Sequence, residues 1–219
     1  MTNKENEVFY QHVNTYSTLN EVNAKTKNIW FVCHGLGYLS RYFIQYFKNL
    51  NPQENYIIAP QAPSKYYQGD DFKHVGASWL TKENTVVETE NNLNFLDSVY
   101  KKENLLNQHN LIILGFSQGV SIALRWVAKR KINCQSIIIH SGGIPKELLK
   151  EDFQFLNSKT KVHLLYGVED EYIDEKRAKY EEARAKELFG NNLFIQQFKG
   201  KHEVNSNLLK EISERNFKE

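Results

Sequence analysis

The feature that most constrains this chain is a series of short apolar runs separated by longer amphipathic stretches. Ile29-Trp30-Phe31-Val32-Cys33, Tyr56-Ile57-Ile58-Ala59, Leu111-Ile112-Ile113-Leu114, Ser136-Ile137-Ile138-Ile139 and Val162-His163-Leu164-Leu165-Tyr166 are such runs, and Leu193-Phe194-Ile195 opens another. Runs this short and this apolar suit strands covered on both faces, the condition of a parallel sheet between helical layers. Between them Val86, Leu93, Leu96 and Tyr100 fall near helical spacing, and Val204, Leu208 and Ile212 recur every fourth residue. Asp174 to Phe189 is rich in Ala, Glu, Lys and Arg and meets Gly190, a helix-stopping residue. The alternation predicts an α/β fold, a doubly wound and mostly parallel sheet with helices on both faces and right-handed crossovers. Val8 to Tyr16 alternates more and predicts an edge strand.

Length and composition agree with that layout. The chain has 219 residues, 41% of them hydrophobic, and no composition break, internal repeat or low-complexity linker. The expectation is a single domain over residues 1–219 with no separate lid domain. A formal net charge of +2, with both signs mixed along the chain, gives no concentrated basic face, so no nucleic-acid partner is expected. The run Lys129-Arg130-Lys131 suits the C-terminal end of a helix, where cations meet the negative end of the dipole. Cys33 and Cys134 lie at or beside apolar runs and read as buried free thiols; no cysteine or histidine spacing suggests a metal, and no cofactor is expected. No apolar run reaches the roughly 18–20 residues of a membrane span, and Met1 to Glu7 is polar, so a soluble cytoplasmic protein is expected.

In doubly wound sheets the ligand lies beyond the carboxyl ends of the strands. There the run Leu111–Leu114 leads into Gly115-Phe116-Ser117-Gln118-Gly119, and Val120 to Ala128 reads as a helix. This is G-x-S-x-G between a strand and a helix, the context in which a serine is raised as a nucleophile. The flanking glycines relieve the crowding of so sharp a turn. A serine hydroxyl needs a general base, and the expected chain order is Ser, then Asp or Glu, then His. After Ser117 come His140, His163 and His202. His163 lies inside an apolar run and reads as a core residue. His140 closes a strand at the correct rim and competes for the role. His202, in the glycine-bearing loop Lys199-Gly200-Lys201-His202 after the last strand, is the preferred base. The acid is expected among Glu169, Asp170 and Glu171, which follow the strand ending near Tyr166. An oxyanion site would draw one backbone N–H from Gln118 and another from the loop His34-Gly35-Leu36-Gly37, in which His34 reads as structural. The aromatic segment Ser64 to Leu80 follows an early strand, and its Tyr66, Tyr67, Phe72 and Trp79 are candidates to line an acyl pocket or to pack the loop onto the domain.

Several motifs then coincide. His34-Gly35-Leu36-Gly37, Ala59-Pro60-Gln61-Ala62-Pro63, Trp79, Gly115-Phe116-Ser117-Gln118-Gly119, Ser141-Gly142-Gly143-Ile144-Pro145, Gly167-Val168-Glu169-Asp170-Glu171-Tyr172-Ile173 and Gly200-Lys201-His202-Glu203-Val204 stand in one order. In this the chain resembles the phospholipase/carboxylesterase group of minimal α/β-hydrolases, which includes acyl-protein thioesterases and small bacterial carboxylesterases. The resemblance implies Ser117 as nucleophile, Asp170 as acid and His202 as base, with backbone donors from Leu36 and Gln118. It implies hydrolysis of short- to medium-chain esters through an acyl-enzyme, with a small-molecule ester or acyl-thioester as substrate. Acyl-protein thioesterase or lysophospholipase activity on the same triad, and a catalytically silent ligand-binding relative, are the alternatives. The chain departs from the group in keeping one glycine before His202 and in the aromatic, acidic stretch Ser64 to Gly76.

Overall fold

The computed structural model describes residues 3–104 and 109–215. Among them the apolar runs form strands, and helices fill the intervals. In chain order the elements are β1 (Tyr16–Leu19), β2 (Asn28–Cys33), α1 (Ser40–Phe43), β3 (Asn55–Pro60), β4 (Ser64–Gln68), β5 (His74–Ser78) and α2 (Thr85–Glu103). They continue with β6 (Asn110–Phe116), α3 (Gln118–Arg130), β7 (Ser136–His140), β8 (Lys161–Gly167), α4 (Glu175–Phe189), β9 (Leu193–Phe198) and α5 (Ser206–Arg215). The main sheet runs β1-β3-β2-β6-β7-β8-β9, and only its edge strand β1 is antiparallel to its neighbour.

Side chains of a strand alternate between faces, so each central strand feeds two cores. Ile29, Phe31, Ile113 and Ile139 face one side and are covered by Leu93 and Leu96 of α2, Trp126 of α3 and Leu188 of α4. Trp30, Val32, Ile112 and Leu114 face the other, beneath Phe43, Phe47, Leu209 and Ile212. This is the doubly covered sheet that the apolar runs demanded. Residue register brings Cys33 beside Gly115, Phe116 beside His140, and Gly167 beside Phe198. The chain segments that follow β2, β6, β7, β8 and β9 therefore emerge at one rim. At the opposite rim Asn55 Oδ1 accepts hydrogen bonds from Asn28 Nδ2 and Trp30 Nε1, both at 2.9 Å, and from Ser213 Oγ at 3.1 Å. That buried network ties α5 to the sheet and so steadies the loop that precedes it.

Two expectations change. The edge strand is Tyr16–Leu19, not Val8 to Tyr16, and Val8, Phe9, Tyr10 and Val13 are exposed. Tyr16 stands opposite Pro60, the last residue of β3, and the final backbone bond runs from the Gln61 amide to the Thr15 carbonyl. Upstream of that point the partner strand has ended. The segment Ser64 to Leu80 is mostly a hairpin rather than a loop, with Ser64 paired to Ser78 and Gln68 to His74. Every residue of β4 is exposed, so no apolar alternation marks it in the sequence. Lys129 and Arg130 do end α3, and Arg130 is held by Asp97 and Glu90 of α2. Among the described residues no helix is long and apolar enough to cross a membrane.

Candidate active site

Ser117 occupies the joint between β6 and α3 at φ 52° and ψ −119°, a region that L-residues rarely adopt and that stores strain. The turn is tight enough to exclude side chains at its flanks. A Cβ on Gly115 would lie 2.4 Å from Val120 Cα, and one on Gly119 would lie 2.1 Å from the Cys33 carbonyl oxygen. The Ser117 amide donates to the His140 carbonyl at 2.9 Å, and the Ser117 carbonyl accepts from the Val120 amide at 3.1 Å. The backbone is thus fixed on both sides of the hydroxyl.

The loop after β9 carries His202 to that hydroxyl. Its Nε2 lies 2.9 Å from Ser117 Oγ, and its Nδ1 lies 2.9 Å and 3.1 Å from the two carboxylate oxygens of Asp170. The Asp170 side chain is fully shielded from solvent, whereas that of His202 keeps 15% exposure. One Asp170 oxygen also accepts the Tyr172 amide at 2.9 Å. The Glu169 amide donates to the Gly200 carbonyl at 2.9 Å, which fastens the carboxylate loop to the imidazole loop. Of the other two carboxylates, Glu169 is exposed and Glu171 accepts a long 3.4 Å bond from the His202 amide. Phe116 packs against the imidazole at 5.1 Å between ring centres, and the exposed ring of Tyr172 meets it edge-on at 4.7 Å. Sequence reasoning passed over Tyr172; its place two residues after Asp170 was the available signal.

Three other histidines, His34, His140 and His163, are committed elsewhere. His34 Nε2 accepts the Ala62 amide at 3.1 Å, which leaves Nδ1 to donate to the Gly35 carbonyl at 2.8 Å. His140, the competing base, is buried with Nε2 accepting the Asn205 amide at 3.1 Å. His163 lies within β8 with its ring stacked on Phe194. Burial pushes the His34 imidazole down to about 4, against the opposing pull of its bond to Gly35. It pushes His140 down to about 3, helped by His202 and opposed by Asp170. Unfolding returns both rings to the ordinary value of 6.5. The unfolded chain then binds protons that the folded chain refuses. Stability is complete above that value and falls with pH below it, by about 1.4 kcal/mol per pH unit for each ring. Urea unfolding midpoints between neutral pH and about pH 5 read this slope. A constant midpoint would mean that both rings titrate as they do in water.

Leu36 lies in the segment after β2, and Gln118 directly follows Ser117. The Gly35 carbonyl, in the same peptide unit as the Leu36 N–H, accepts from His34 Nδ1 and from the Tyr38 amide. The next two peptides are held as the Gly37 amide donates to the Ala77 carbonyl and Gln68 Nε2 donates to the Gly37 carbonyl, both at 2.9 Å. Gln118 opens α3. Its side chain accepts the Trp79 amide at 2.8 Å and donates to the Leu80 carbonyl at 2.8 Å. The four aromatic candidates separate. Tyr66 shares a hairpin face with Gln68, and its hydroxyl approaches Gly37. Tyr67 packs on Phe72 at 5.3 Å between centres, and both are exposed. Trp79 is buried with its indole N–H donating to the His34 carbonyl at 2.8 Å, so it supports the Leu36 loop from below. Among the described residues no three His, Cys, Asp or Glu side chains gather as a metal-binding set.

Comparison with solved structures places the fold. The chain is similar to acyl-protein thioesterase 2 of Zea mays, at TM-score 0.69 and 16% identity over 93% of this chain and 99% of that one. It is similar to a phospholipase/carboxylesterase of Dyadobacter fermentans, at TM-score 0.64 and 18% identity over 96% and 99%. The carboxylesterase of Bacillus cereus matches at TM-score 0.65 and 12% identity over 93% of each chain. At these identities the likeness is one of fold. No curated protein matches the chain's sequence. The family model for phospholipases and carboxylesterases matches residues 14–215. That span takes in the serine turn, the carboxylate loop and the histidine loop, and the chain belongs to the phospholipase/carboxylesterase family of α/β-hydrolases.

Proposed function

We propose that the chain is a serine carboxylesterase acting on short- to medium-chain esters, with Ser117 as nucleophile, His202 as base and Asp170 as its orienting acid. The observation that carries this reading is the unbroken contact from Ser117 Oγ to His202 Nε2 and from His202 Nδ1 to the buried Asp170 carboxylate. Ser117 Oγ attacks the ester carbonyl carbon as His202 Nε2 takes its proton. Negative charge passes to the carbonyl oxygen, which the N–H groups of Leu36 and Gln118 stabilise. Collapse of that intermediate expels the alcohol, protonated by His202, and leaves an ester on Ser117. Water, deprotonated by the same imidazole, repeats the attack and frees the acid. Asp170 holds the tautomer and offsets the imidazolium charge without taking the proton. Tyr66 beside the Leu36–Gly37 turn supplies part of the acyl wall in this proposal, and the open hairpin suits small substrates.

A fluorophosphonate probe tests the reaction class, and nitrophenyl esters from acetyl to palmitoyl, with a thioester in parallel, test the substrate. The expected result is labelling at Ser117, with kcat/KM greatest for the shorter acyl chains. Folded protein that neither labels nor turns over any ester is a ligand-binding relative. A preference for the thioester over its oxygen counterpart would move the reading to a thioesterase.

A further inference from the structure

His140 lies outside the three residues of the proposed reaction, yet it joins the two segments that bear Ser117 and His202. It ends β7, opposite Phe116 of β6 on one side and Leu165 of β8 on the other. Its carbonyl accepts the Ser117 amide at 2.9 Å. Its ring Nε2 lies 3.1 Å from the Asn205 amide, three residues beyond His202. A backbone N–H can only donate, so Nε2 is the bare nitrogen and Nδ1 carries the proton, aimed at Ser141 Oγ 3.2 Å away. The ring is wholly buried between the edges of Phe116 and Phe198, and burial keeps it unprotonated in neutral solution.

The histidine loop is therefore held at both of its ends. Upstream, the Gly200 carbonyl accepts from Glu169. Downstream, the Asn205 amide is held by His140, and Asn205 in turn caps α5 by accepting the Leu208 amide at 3.0 Å through its side chain. Of the anchors at the downstream end, the buried Val204 side chain and the Ser206 hydroxyl on the Tyr46 carbonyl hold the chain to the core, and the Asn205 amide on His140 is the one that links it to the strand whose carbonyl holds Ser117. We infer that His140 is a positioning residue for the reaction, its bare Nε2 setting the distance between the His202 imidazole and the Ser117 hydroxyl. The inference rests on the triad reading above, because it concerns how that triad is held. His140 touches no substrate, being closed off from solvent.

The test compares His140→Leu, which removes the acceptor, with His140→Gln, which offers an amide oxygen near the same place. The expected result for His140→Leu is a fall in kcat of roughly 10- to 100-fold with KM little changed, since small displacements of a base are costly. The rate of fluorophosphonate labelling should fall in the same proportion, and His140→Gln should recover most of both. A purely structural role would shift the unfolding midpoint while leaving kcat of the folded protein alone. Folded His140→Leu with wild-type kcat overturns the inference. Should that variant not fold, imidazole nitrogen NMR of the wild-type protein decides. A protonated Nδ1 and bare Nε2 at His140 supports the tie to Asn205, and the opposite tautomer overturns it. The parent reading fails separately, through a Ser117→Ala variant that keeps its turnover.

Discussion

Ser117→Ala is expected to reduce ester hydrolysis to background, a loss on the order of 10⁶ in kcat by comparison with other serine-hydrolase triads. The proposed chemistry leaves no substitute nucleophile: the hydroxyl that donates to His202 Nε2, at 2.9 Å, is that of Ser117. The fold should survive. The Ser117 backbone is held through its own amide and carbonyl, and alanine suffers no more than serine at φ 52°. Removal of the hydroxyl also relieves a site built for function rather than stability, so the melting temperature should hold or rise slightly. Nitrophenyl ester turnover and a circular dichroism melt on the same preparation make the measurement. Turnover at the wild-type rate would remove Ser117 from the reaction. Lost turnover with a collapsed melt would show a structural serine instead.

The sheet was legible because its strands are apolar on both faces. Ile29 to Cys33 contributes alternately to two cores, and a short run without polar punctuation suits a strand covered on both faces. The serine turn was legible for a related reason. Gly115 and Gly119 answer a steric demand, since a Cβ on either would lie 2.4 Å or 2.1 Å from a backbone atom, a contact that only glycine avoids. The hairpin from Ser64 to Ser78 left no comparable trace. Its first strand is exposed throughout, so its pairing rests on backbone hydrogen bonds and on Gln68 reaching Gly37, which hydropathy does not record. The edge strand was misplaced because alternation alone does not reveal where a partner ends, and Pro60 ends it. Trp79 shows the same limit. A tryptophan in a rim segment reads equally as pocket wall or as support, and its indole bond to His34 makes it support.

His140 carries the point further. Sequence order allowed it as a base, since it ends a strand at the correct rim. What removes it from contention is the Asn205 amide on its Nε2, a contact across 65 positions of chain. Such contacts depend on loop paths that periodicity does not encode. The choice among three adjacent carboxylates is of the same kind. Physical spacing left Glu169, Asp170 and Glu171 equivalent, and family resemblance selected Asp170. The folded chain separates them by burial: Asp170 is shielded and hydrogen-bonded, while its neighbours face water.

That separation makes Asp170→Asn the most informative second substitution, with an expected loss of about 10⁴ in kcat. The size follows from the hydrogen bonds around the carboxylate. One oxygen already accepts the Tyr172 amide at 2.9 Å, so an asparagine would keep its carbonyl there. Its NH₂ group would then take the place of the oxygen 2.9 Å from His202 Nδ1. A donor at that position forces Nδ1 to be the bare nitrogen, and the proton moves to Nε2, facing Ser117. The imidazole then has no lone pair to receive the hydroxyl proton, although the side chains barely move. KM should change little, because the substitution alters the base and leaves the binding surface alone. Glu169→Gln and Glu171→Gln, both exposed to solvent, should each cost less than about tenfold, since screened charges couple weakly to the imidazole. Rates for the three variants across a range of pH settle the assignment. If Glu169→Gln cost more than Asp170→Asn, the orienting carboxylate would be Glu169, and the buried one would be only a brace for the Tyr172 turn.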